Sequence, residues 1–288
     1  MNSIRTIPLR RAAIAVVLAL VLVACDWKGP EPTEASLTAA SGPFTVSTLA
    51  VPSSAGFGGG TIYYPGNVAG PFAVISVSPG FFSTQSAIAA WGPRLASHGF
   101  VVITINTTSL IADPTQRSTE QRQALAYVVN QGNTASSPIF GLVDGNRTGV
   151  AGHSMGGGAS LISAQADPTI DAVMPLAPWN LGSNFSGITA PTLVFACQSD
   201  AVAGVSSHAS PMYNSIPATT KKLYISVANG NHSCANTPTG AGNAVGKYGV
   251  AFFKRWLDAD TRYDPWMCGT SAPTAGAALN EVRSSCPF

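Results

Sequence analysis

The stretch that decides the fold is Val150-Ala151-Gly152-His153-Ser154-Met155-Gly156-Gly157-Gly158, near the middle of the 288-residue chain. It passes from an apolar, strand-like segment into a segment of small residues, and a G-x-S-x-G motif centred on Ser154 lies at the junction. A serine nucleophile at a strand-to-helix elbow has this context, because a sharp turn exposes its hydroxyl at the edge of a sheet. Gly152 and Gly156 leave room for such a turn. The motif therefore predicts a catalytic role for Ser154, and a tight structural turn is the alternative.

Strand-like and helix-like patterns alternate on both sides of this motif. Apolar, β-branched runs predict strands at 44–51, 72–77, 101–105, 148–151, 172–176, 192–196 and 223–227. Helix-like segments lie at 86–97, 119–131, 155–165, 206–215 and 245–259. Such alternation predicts an α/β protein with a mostly parallel central sheet flanked by helices. Together with the serine elbow it predicts an α/β-hydrolase fold, and the chain is too short to add a large lid.

The first 25 residues have the features of an export signal. Three arginines precede an apolar run at 12–24, which is too short to span a bilayer as a mature helix. The run ends in Leu22-Val23-Ala24-Cys25, which resembles the bacterial lipobox and predicts cleavage before Cys25 and acylation of its thiol. An ordinary secretory signal cut nearby is the alternative. We therefore expect an exported protein, either secreted or attached to a membrane at the cell envelope through lipid on Cys25.

Composition separates the rest of the chain into a tether and one domain. Residues 26–42 are rich in Pro, Ala, Ser and Thr and have no apolar period, which predicts a flexible tether. Residues 43–288 form the predicted catalytic domain, which we expect to be a monomer. Three of the 15 basic residues lie in the signal, so basic and acidic residues nearly balance elsewhere, and a basic surface for nucleic acid is excluded. No spacing of Cys and His suits a zinc site, and we expect no metal or other cofactor.

A serine nucleophile needs a general base, and two histidines follow Ser154 in the chain. In α/β-hydrolases the acid and then the histidine come after the serine. His232 lies in a Gly- and Asn-rich loop just past the predicted strand 223–227, which is where a base is expected. His208 lies in a helix-like segment and is expected at the surface. We therefore predict that His232 is the base.

The acid that orients this base is predicted by its position on the sheet. Asp200 follows the predicted strand 192–196, and sites on open α/β sheets form at the carboxyl ends of strands. Asp167 precedes a proline in a turn, and Asp171 begins a strand at the opposite end of the sheet. Asp200 is therefore the predicted acid, with an exposed turn carboxylate as the alternative.

The negative charge of the transition state needs two backbone donors near the serine. Met155 follows the nucleophile and supplies the first amide. The second is expected from the loop after an early strand, where Ser78-Pro79-Gly80-Phe81 places the amide of Phe81. Trp179 follows another strand end. A tryptophan is more often a core residue, but its position on a strand-end loop beside Ser154 favours a role for Trp179 as a wall of the substrate cleft.

Four cysteines remain once Cys25 is assigned to the signal: Cys197, Cys234, Cys268 and Cys286. An even number of cysteines in an exported protein predicts two disulfides. The sequence alone leaves all three pairings open.

Several segments together resemble bacterial polyester hydrolases of the cutinase-like group, especially PET hydrolases with a second disulfide. The similarity runs from about residue 44 to the C-terminus. The segments that carry it are Trp91-Gly92-Pro93-Arg94-Leu95-Ala96-Ser97-His98-Gly99-Phe100, the GHSMGGG elbow at 152–158, Ala177-Pro178-Trp179, Phe195-Ala196-Cys197 before Asp200, and His232-Ser233-Cys234-Ala235-Asn236.

The resemblance implies a role for each candidate residue. It implies the triad of Ser154, Asp200 and His232, and the oxyanion donors Phe81 and Met155. It also implies an aromatic clamp formed by Phe81 and Trp179 around a terephthalate-like ring. Further substrate contacts are implied at His153, Val202, Ser233 and Asn236. The implied disulfides pair Cys197 with Cys234, and Cys268 with Cys286.

The sequence therefore predicts a serine hydrolase that cleaves polymeric or small esters, with polyesters as the leading substrate class. A lipase or esterase with incidental polyester activity is the alternative within enzymes, although a lid or a long apolar pocket is not visible. A catalytically inactive, lipid-anchored binding protein is the alternative outside enzymes. The intact order of Ser154, Asp200 and His232 argues against it.

Overall fold

The computed structural model describes residues 29–53 and 56–288. Within them, nine strands form one sheet in the order β1-β2-β4-β3-β5-β6-β7-β8-β9. The strands are β1 Thr45–Val51, β2 Gly60–Gly66, β3 Phe72–Ser78, β4 Val101–Ile105, β5 Val143–His153, β6 Ala172–Leu176, β7 Thr192–Cys197, β8 Lys222–Val227 and β9 Leu279–Ser284. Strands β3 to β8 are parallel, and β1, β2 and β9 join antiparallel at the edges. The predicted mostly parallel sheet is confirmed.

Helices cover both faces of this sheet, as the alternating pattern predicted. They are α1 Glu34–Thr38, α2 Trp91–Ala96, α3 Pro114–Gly132, α4 Met155–Ala166, α5 Ala209–Ser215, α6 Ala244–Leu257 and α7 Asp264–Cys268. One apolar cluster packs α2 and α6 against the sheet through Trp91, Phe252 and Phe253. A second cluster packs α3 and α4 against the other face through Val128 and Leu161. Apolar burial on two faces explains why the inner strands are apolar throughout.

Three helix predictions differ from the structure by several residues at their starts, and one of these helices, α5, begins at Ala209 instead of Ser206. Helix α3 begins five residues before the predicted start, with Pro114 in its first turn and Asp113 as the N-cap. The Asp113 carboxylate accepts a hydrogen bond from the Gln116 amide at 2.8 Å, which satisfies one of the amides that a helix start leaves free. The predicted helix 86–97 is shorter, because a 3-10 turn at Gln85–Ala87 precedes α2.

The predicted tether is wrong for the part that the structure describes. Residues 34–38 form α1, whose N-terminus is closed by a capping box between Thr33 and Ser36. Leu37 is buried in the core, and the guanidinium of Arg94 donates to the carbonyl oxygens of Leu37 and Ala39. Glu34 forms an ion pair with Lys247 at 2.8 Å. The segment is ordered by these contacts with distant residues, which its own composition does not reveal.

The predicted signal and Cys25 lie outside the described residues, so cleavage and lipidation stay predictions. Within the described ranges, no helix is long and apolar enough to cross a membrane. The connection 177–191 after β6 contains no helix, and no large helical lid appears elsewhere in the described chain.

Candidate active site

Ser154 lies on a strained turn between β5 and α4, as the motif predicted. Its backbone has φ 56° and ψ −119°, a conformation that costs energy for any residue with a side chain. The turn needs its two motif glycines, because a Cβ at Gly152 would lie 2.3 Å from the carbonyl oxygen of Gly156. A Cβ at Gly156 would lie 2.2 Å from the carbonyl oxygen of Ser78. The close approach of α4 to β3 therefore fixes the position of Ser154.

A chain of hydrogen bonds joins Ser154 to two loops at the same end of the sheet. His232 Nε2 lies 2.9 Å from Ser154 Oγ, and His232 Nδ1 lies 2.7 Å from Asp200 Oδ2. The carboxylate accepts from Nδ1–H, which leaves Nε2 as the acceptor for the Ser154 hydroxyl. The sequence placed these three residues after β5, β7 and β8. The structure brings them into contact, and the arrangement can activate the serine as a nucleophile.

Asp200 is held in its ionised form. Its side chain is only 1% exposed, and its second oxygen accepts the amides of Val202 and Ala203 at 2.8 Å each. Burial acts to raise the pKa of Asp200. The hydrogen bond from His232 and the two amide bonds outweigh burial, so the pKa is held below its ordinary value. The carboxylate therefore stays charged opposite His232 above acidic pH.

The acid and base loops are fastened to each other. Cys197 and Cys234 form a disulfide with their Cα atoms 5.9 Å apart. The Ser199 amide also donates to the carbonyl oxygen of Gly230 at 2.8 Å. This pairing, and that of Cys268 with Cys286 at the far end of the sheet, are the ones that the family resemblance implied. The first disulfide cross-links the loops that carry Asp200 and His232, so it limits their relative motion.

Two backbone amides beside Ser154 are available to bind an oxyanion. The loop after β3 passes close to the nucleophile, because a Cβ at Gly80 would lie 3.0 Å from Ser154 Cβ. Among the described residues, the amides of Phe81 and Met155 donate to no acceptor. Both predicted donors therefore have an unused N–H at the carboxyl end of the sheet, which is what stabilisation of a tetrahedral intermediate needs.

His153 was predicted to contact substrate, but the structure buries its side chain under the base loop. It is 5% exposed, and its ring centroid lies 4.6 Å from that of His232. The His153 Nε2–H donates to the carbonyl oxygen of His232 at 2.8 Å. Burial lowers the pKa of His153 to about 4, so the ring is neutral at ordinary pH. The residue supports the backbone of His232 instead of lining the cleft.

Trp179 lies beside the elbow and packs on a partner that the sequence did not reveal. The Trp179 amide donates to the carbonyl oxygen of Ser154 at 2.9 Å, and the indole is half-buried. Its ring packs on His208, with centroids 5.7 Å apart and planes 31° apart. His208 was expected at the surface, with no role at the site. The pairing of Trp179 and His208 joins two loops 29 positions apart, and no local pattern in the sequence signals it.

Of the other side chains predicted to contact substrate, three are exposed to solvent and one is buried. Phe81 is 49% exposed and Val202 61% exposed, and Ser233 is also exposed, so these three side chains are accessible. Asn236 is 9% exposed, and its Oδ1 has no partner within the described residues. Because Asn236 is buried, the predicted contact between its side chain and substrate is not supported.

Arg117 is a further residue of the site that the sequence did not reveal. This arginine of α3 is fully buried, and its guanidinium donates to the carbonyl oxygens of Pro79 at 3.2 Å and Leu110 at 2.9 Å. It also donates to Ala112 O and Thr107 Oγ1. Arg117 therefore ties the loop that carries the Phe81 amide to the loop after β4. A basic residue on a helix gives no sequence signal for such a role.

Comparison with known proteins places the chain in a family. The PET hydrolase-like (PETase) family model matches residues 24–287. A cutinase of Thermobifida fusca is 41% identical over 96% of this chain and 92% of its own length. Cutinase 1 of Thermobifida cellulosilytica is 42% identical over 91% of this chain and 98% of its own length. A bis(hydroxyethyl) terephthalate hydrolase of Streptomyces coelicolor is 39% identical over 99% of this chain and 94% of its own length. The chain therefore belongs to the PET hydrolase-like family of carboxylic ester hydrolases.

Proposed function

We propose that the protein is a serine carboxylic-ester hydrolase that cleaves polyesters such as poly(ethylene terephthalate) and cutin-like polymers. The observation that carries the proposal is the hydrogen-bonded line from Ser154 Oγ through His232 to the buried carboxylate of Asp200. Polyester substrates are supported by the named activities of the relatives, which are cutinases and a bis(hydroxyethyl) terephthalate hydrolase.

The proposed reaction uses each of these groups in turn. Ser154 Oγ attacks the ester carbonyl while its proton passes to His232 Nε2, and Asp200 stabilises the imidazolium through Nδ1. The amides of Phe81 and Met155 bind the oxyanion of the tetrahedral intermediate. Collapse expels the alcohol, which takes the proton from His232 and leaves an acyl group on Ser154. Water activated by His232 then releases the acid and restores the serine.

An aromatic acyl ring is proposed to lie between Phe81 and Trp179. Each side chain belongs to a loop that touches Ser154, and each is partly exposed. An aromatic pair contributes roughly 0.5–1.5 kcal/mol beyond buried area. The open connection after β6 supports access by a polymer chain.

Export and lipidation complete the proposal. Residues 1–25 are proposed to be processed by cleavage before Cys25, whose thiol then carries the lipid that holds the enzyme at the cell envelope. Mass spectrometry of the mature protein from a Gram-negative host tests this. A lipid-modified Cys25 at the N-terminus is expected. An unmodified N-terminus that begins after Cys25 would show that the protein is secreted without a lipid anchor.

The catalytic proposal is tested by Ser154→Ala on p-nitrophenyl butyrate and on poly(ethylene terephthalate) film. Loss of a triad member typically removes several orders of magnitude of rate, so we expect a fall of about 1000-fold or more with the fold retained. Ser206→Ala, at an exposed serine on the loop after β7, is the matched control. A Ser154→Ala protein with a tenth of wild-type turnover would overturn the assignment. Wild-type activity on tributyrin but none on film would favour a lipase or small-ester esterase.

A further inference from the structure

Exposed large apolar side chains cluster at one end of the molecule. Seven of them are 42–91% exposed in the described part of the chain, and six lie on loops that follow the carboxyl ends of strands. These six are Phe81 and Phe82 after β3, Leu110 and Ile111 after β4, Leu181 after β6, and Val202 after β7. The seventh, Phe140, precedes β5 at the opposite end. Single exposed apolar residues are ordinary on protein surfaces, whereas a cluster around a candidate active site indicates a binding surface.

The same loops carry almost no charge. The connections 79–90, 106–113, 177–191, 198–208 and 228–243 contain none of the 15 basic residues of the chain. They contain two of its 13 acidic residues: Asp200, whose side chain is buried against His232, and Asp113, the exposed N-cap of α3. A face that is apolar, has no cation and has little negative charge suits a neutral, apolar surface. An anionic lipid surface, in contrast, is bound mainly through Lys and Arg.

Phe82 combines a strained backbone with an exposed aromatic ring. It has φ 52°, which is unfavourable for a bulky residue, and its ring is 67% exposed. Its amide donates to the carbonyl oxygen of Leu110 at 2.9 Å, and its ring packs edge-on against Phe81 with centroids 4.9 Å apart. The strained backbone thus holds an aromatic ring in solvent, directly beside the candidate ester site. Strain of this kind is retained where the surrounding structure imposes it for a function.

The two loops that carry Phe82, Leu110 and Ile111 form one rigid unit. Arg117 donates to Pro79 O on the first loop and to Leu110 O on the second, and it is itself fully buried. A preformed apolar surface loses little conformational entropy when it binds, because its side chains are already positioned. The rim formed by Phe82, Leu110 and Ile111, here called the docking rim, is therefore ready to contact a flat partner.

We propose that the docking rim rests on the surface of the solid polyester, outside the position of the ester that is cleaved. The partner is an uncharged, apolar polymer, because the rim is continuous with Phe81 at the ester site and the surrounding loops offer no cation for a phosphate headgroup. The rim increases the time that the enzyme spends on the solid and does not act on a soluble ester. This inference rests on the proposed function and adds a surface that the reaction itself does not use.

The test compares a rim variant with a control at the other end of the molecule. The rim variant is Phe82→Asn/Leu110→Ser/Ile111→Ser, with Asn at position 82 because it tolerates positive φ. The control is Phe140→Ser, whose side chain is 55% exposed at the opposite end. Both are made in wild type and in Ser154→Ala. Adsorption to film is measured in the Ser154→Ala background, so that hydrolysis does not erode the surface.

We expect the rim variant to adsorb about tenfold more weakly than wild type, which is about 1.4 kcal/mol, while Phe140→Ser adsorbs like wild type. In active protein, film hydrolysis at low enzyme concentration falls in the same proportion. Turnover of p-nitrophenyl butyrate stays within about twofold, and thermal unfolding shows that the variants are folded. Equal adsorption of the rim variant and Phe140→Ser would overturn the docking rim.

Two further measurements distinguish the solid polymer from a lipid surface and from a second copy of the chain. Binding to phosphatidylcholine vesicles and self-association in the ultracentrifuge are measured with the same proteins. If the rim substitutions abolish either of these and leave film adsorption unchanged, the occupant is a lipid surface or a second copy, and the proposal fails. Product release from film by the wild type reports separately on the proposed function, because adsorption is measured with the inactive Ser154→Ala background.

Discussion

The two ends of the parallel strands differ in charge, in exposed apolar surface and in backbone strain. At the carboxyl ends the loops have no basic residue and expose apolar side chains, and Ser154 and Phe82 both have strained backbones with positive φ. At the amino ends charges are paired: Arg147 bonds Asp144 at 2.7 Å and Asp258 at 2.6 Å. The comparison teaches that these ion pairs lie at the amino end, whereas the carboxyl end carries the strained nucleophile turn and the exposed apolar surface that the proposed chemistry uses.

Each end has one disulfide, and the first prediction separates their roles. Replacing Cys197 and Cys234 by Ala removes a cross-link over 37 positions, which we expect to cost about 4 kcal/mol of unfolding free energy. Replacing Cys268 and Cys286 removes one over 18 positions, at a cost of about 3 kcal/mol. Only the first pair joins the Asp200 and His232 loops, so only that variant loses turnover of p-nitrophenyl butyrate at temperatures where it is folded.

Urea unfolding and steady-state kinetics at 25 °C check both parts of this prediction. The variant that lacks Cys268 and Cys286, the disulfide at the amino end of the strands, is expected to keep kcat within about twofold of wild type. A similar fall of kcat in the two folded double variants would contradict the view that the first disulfide positions the triad.

The second prediction compares two arginines, one at each end. Arg117→Met removes the donors that hold Pro79 O and Leu110 O, so the Phe81 amide loses its fixed position. Loss of an oxyanion donor costs about 100-fold or more in kcat, and we expect a fall approaching this with KM changed by less than about threefold. Arg147→Met breaks ion pairs at the amino end and leaves kcat unchanged. Arg117→Lys, which keeps a cation and part of the hydrogen bonding, restores some of the rate.

The kinetics are corrected for the folded fraction, because a buried arginine with four acceptors also contributes to stability. If the whole loss in Arg117→Met disappears after this correction, Arg117 has a structural role only.

The third prediction concerns acid stability. His98 lies before β4, beside Arg94 and Lys254, and burial together with these two cations lowers its pKa to about 3. Between this value and the ordinary histidine pKa near 6.5, the unfolded chain binds a proton that the folded protein does not. Stability therefore falls as pH decreases from 6.5, by about 2 kcal/mol at pH 4.5 for this one residue.

In His98→Gln, the free energy of unfolding is expected to fall by about 2 kcal/mol less than in wild type between pH 7 and 4.5. Urea unfolding across this range, at constant ionic strength, measures it. An unchanged slope in His98→Gln would show that His98 is not a source of acid destabilisation; His153, whose folded pKa is also lowered, is left intact in both proteins.

The sequence predicted the elements whose signals are local, and missed those that depend on distant contacts. The elbow at Ser154 could be predicted because its glycines and its strand-to-helix context lie within nine residues. Asp200 and His232 could be predicted because each follows an apolar strand. Strand β9 was not predicted because it lies at the edge of the sheet, is only partly buried, and has four polar residues among its six. An edge strand of this kind has no continuous apolar run to reveal it.

The misses at the site have a different cause. Nothing near Arg117 in sequence shows that the carbonyl oxygens of Pro79 and Leu110 converge on it. The packing of His208 on Trp179, and the burial of His153 against His232, are equally long-range. The ordered segment containing α1 was predicted to be a tether because a single buried leucine makes no periodic pattern. Residue type predicted the reaction class, and three-dimensional contacts determine which residues position the reacting groups.

Covalent labelling of the nucleophile with diethyl p-nitrophenyl phosphate, followed by intact-mass and peptide analysis, tests the central claim most directly. We expect one diethylphosphoryl group per chain, on the peptide that contains Ser154, with release of one equivalent of p-nitrophenol. We expect no label in Ser154→Ala, and labelling slowed about 1000-fold or more in His232→Ala, because the serine then lacks its base. Stoichiometric label on another residue, or an undiminished p-nitrophenol burst from Ser154→Ala, would contradict the assignment of Ser154 as the nucleophile.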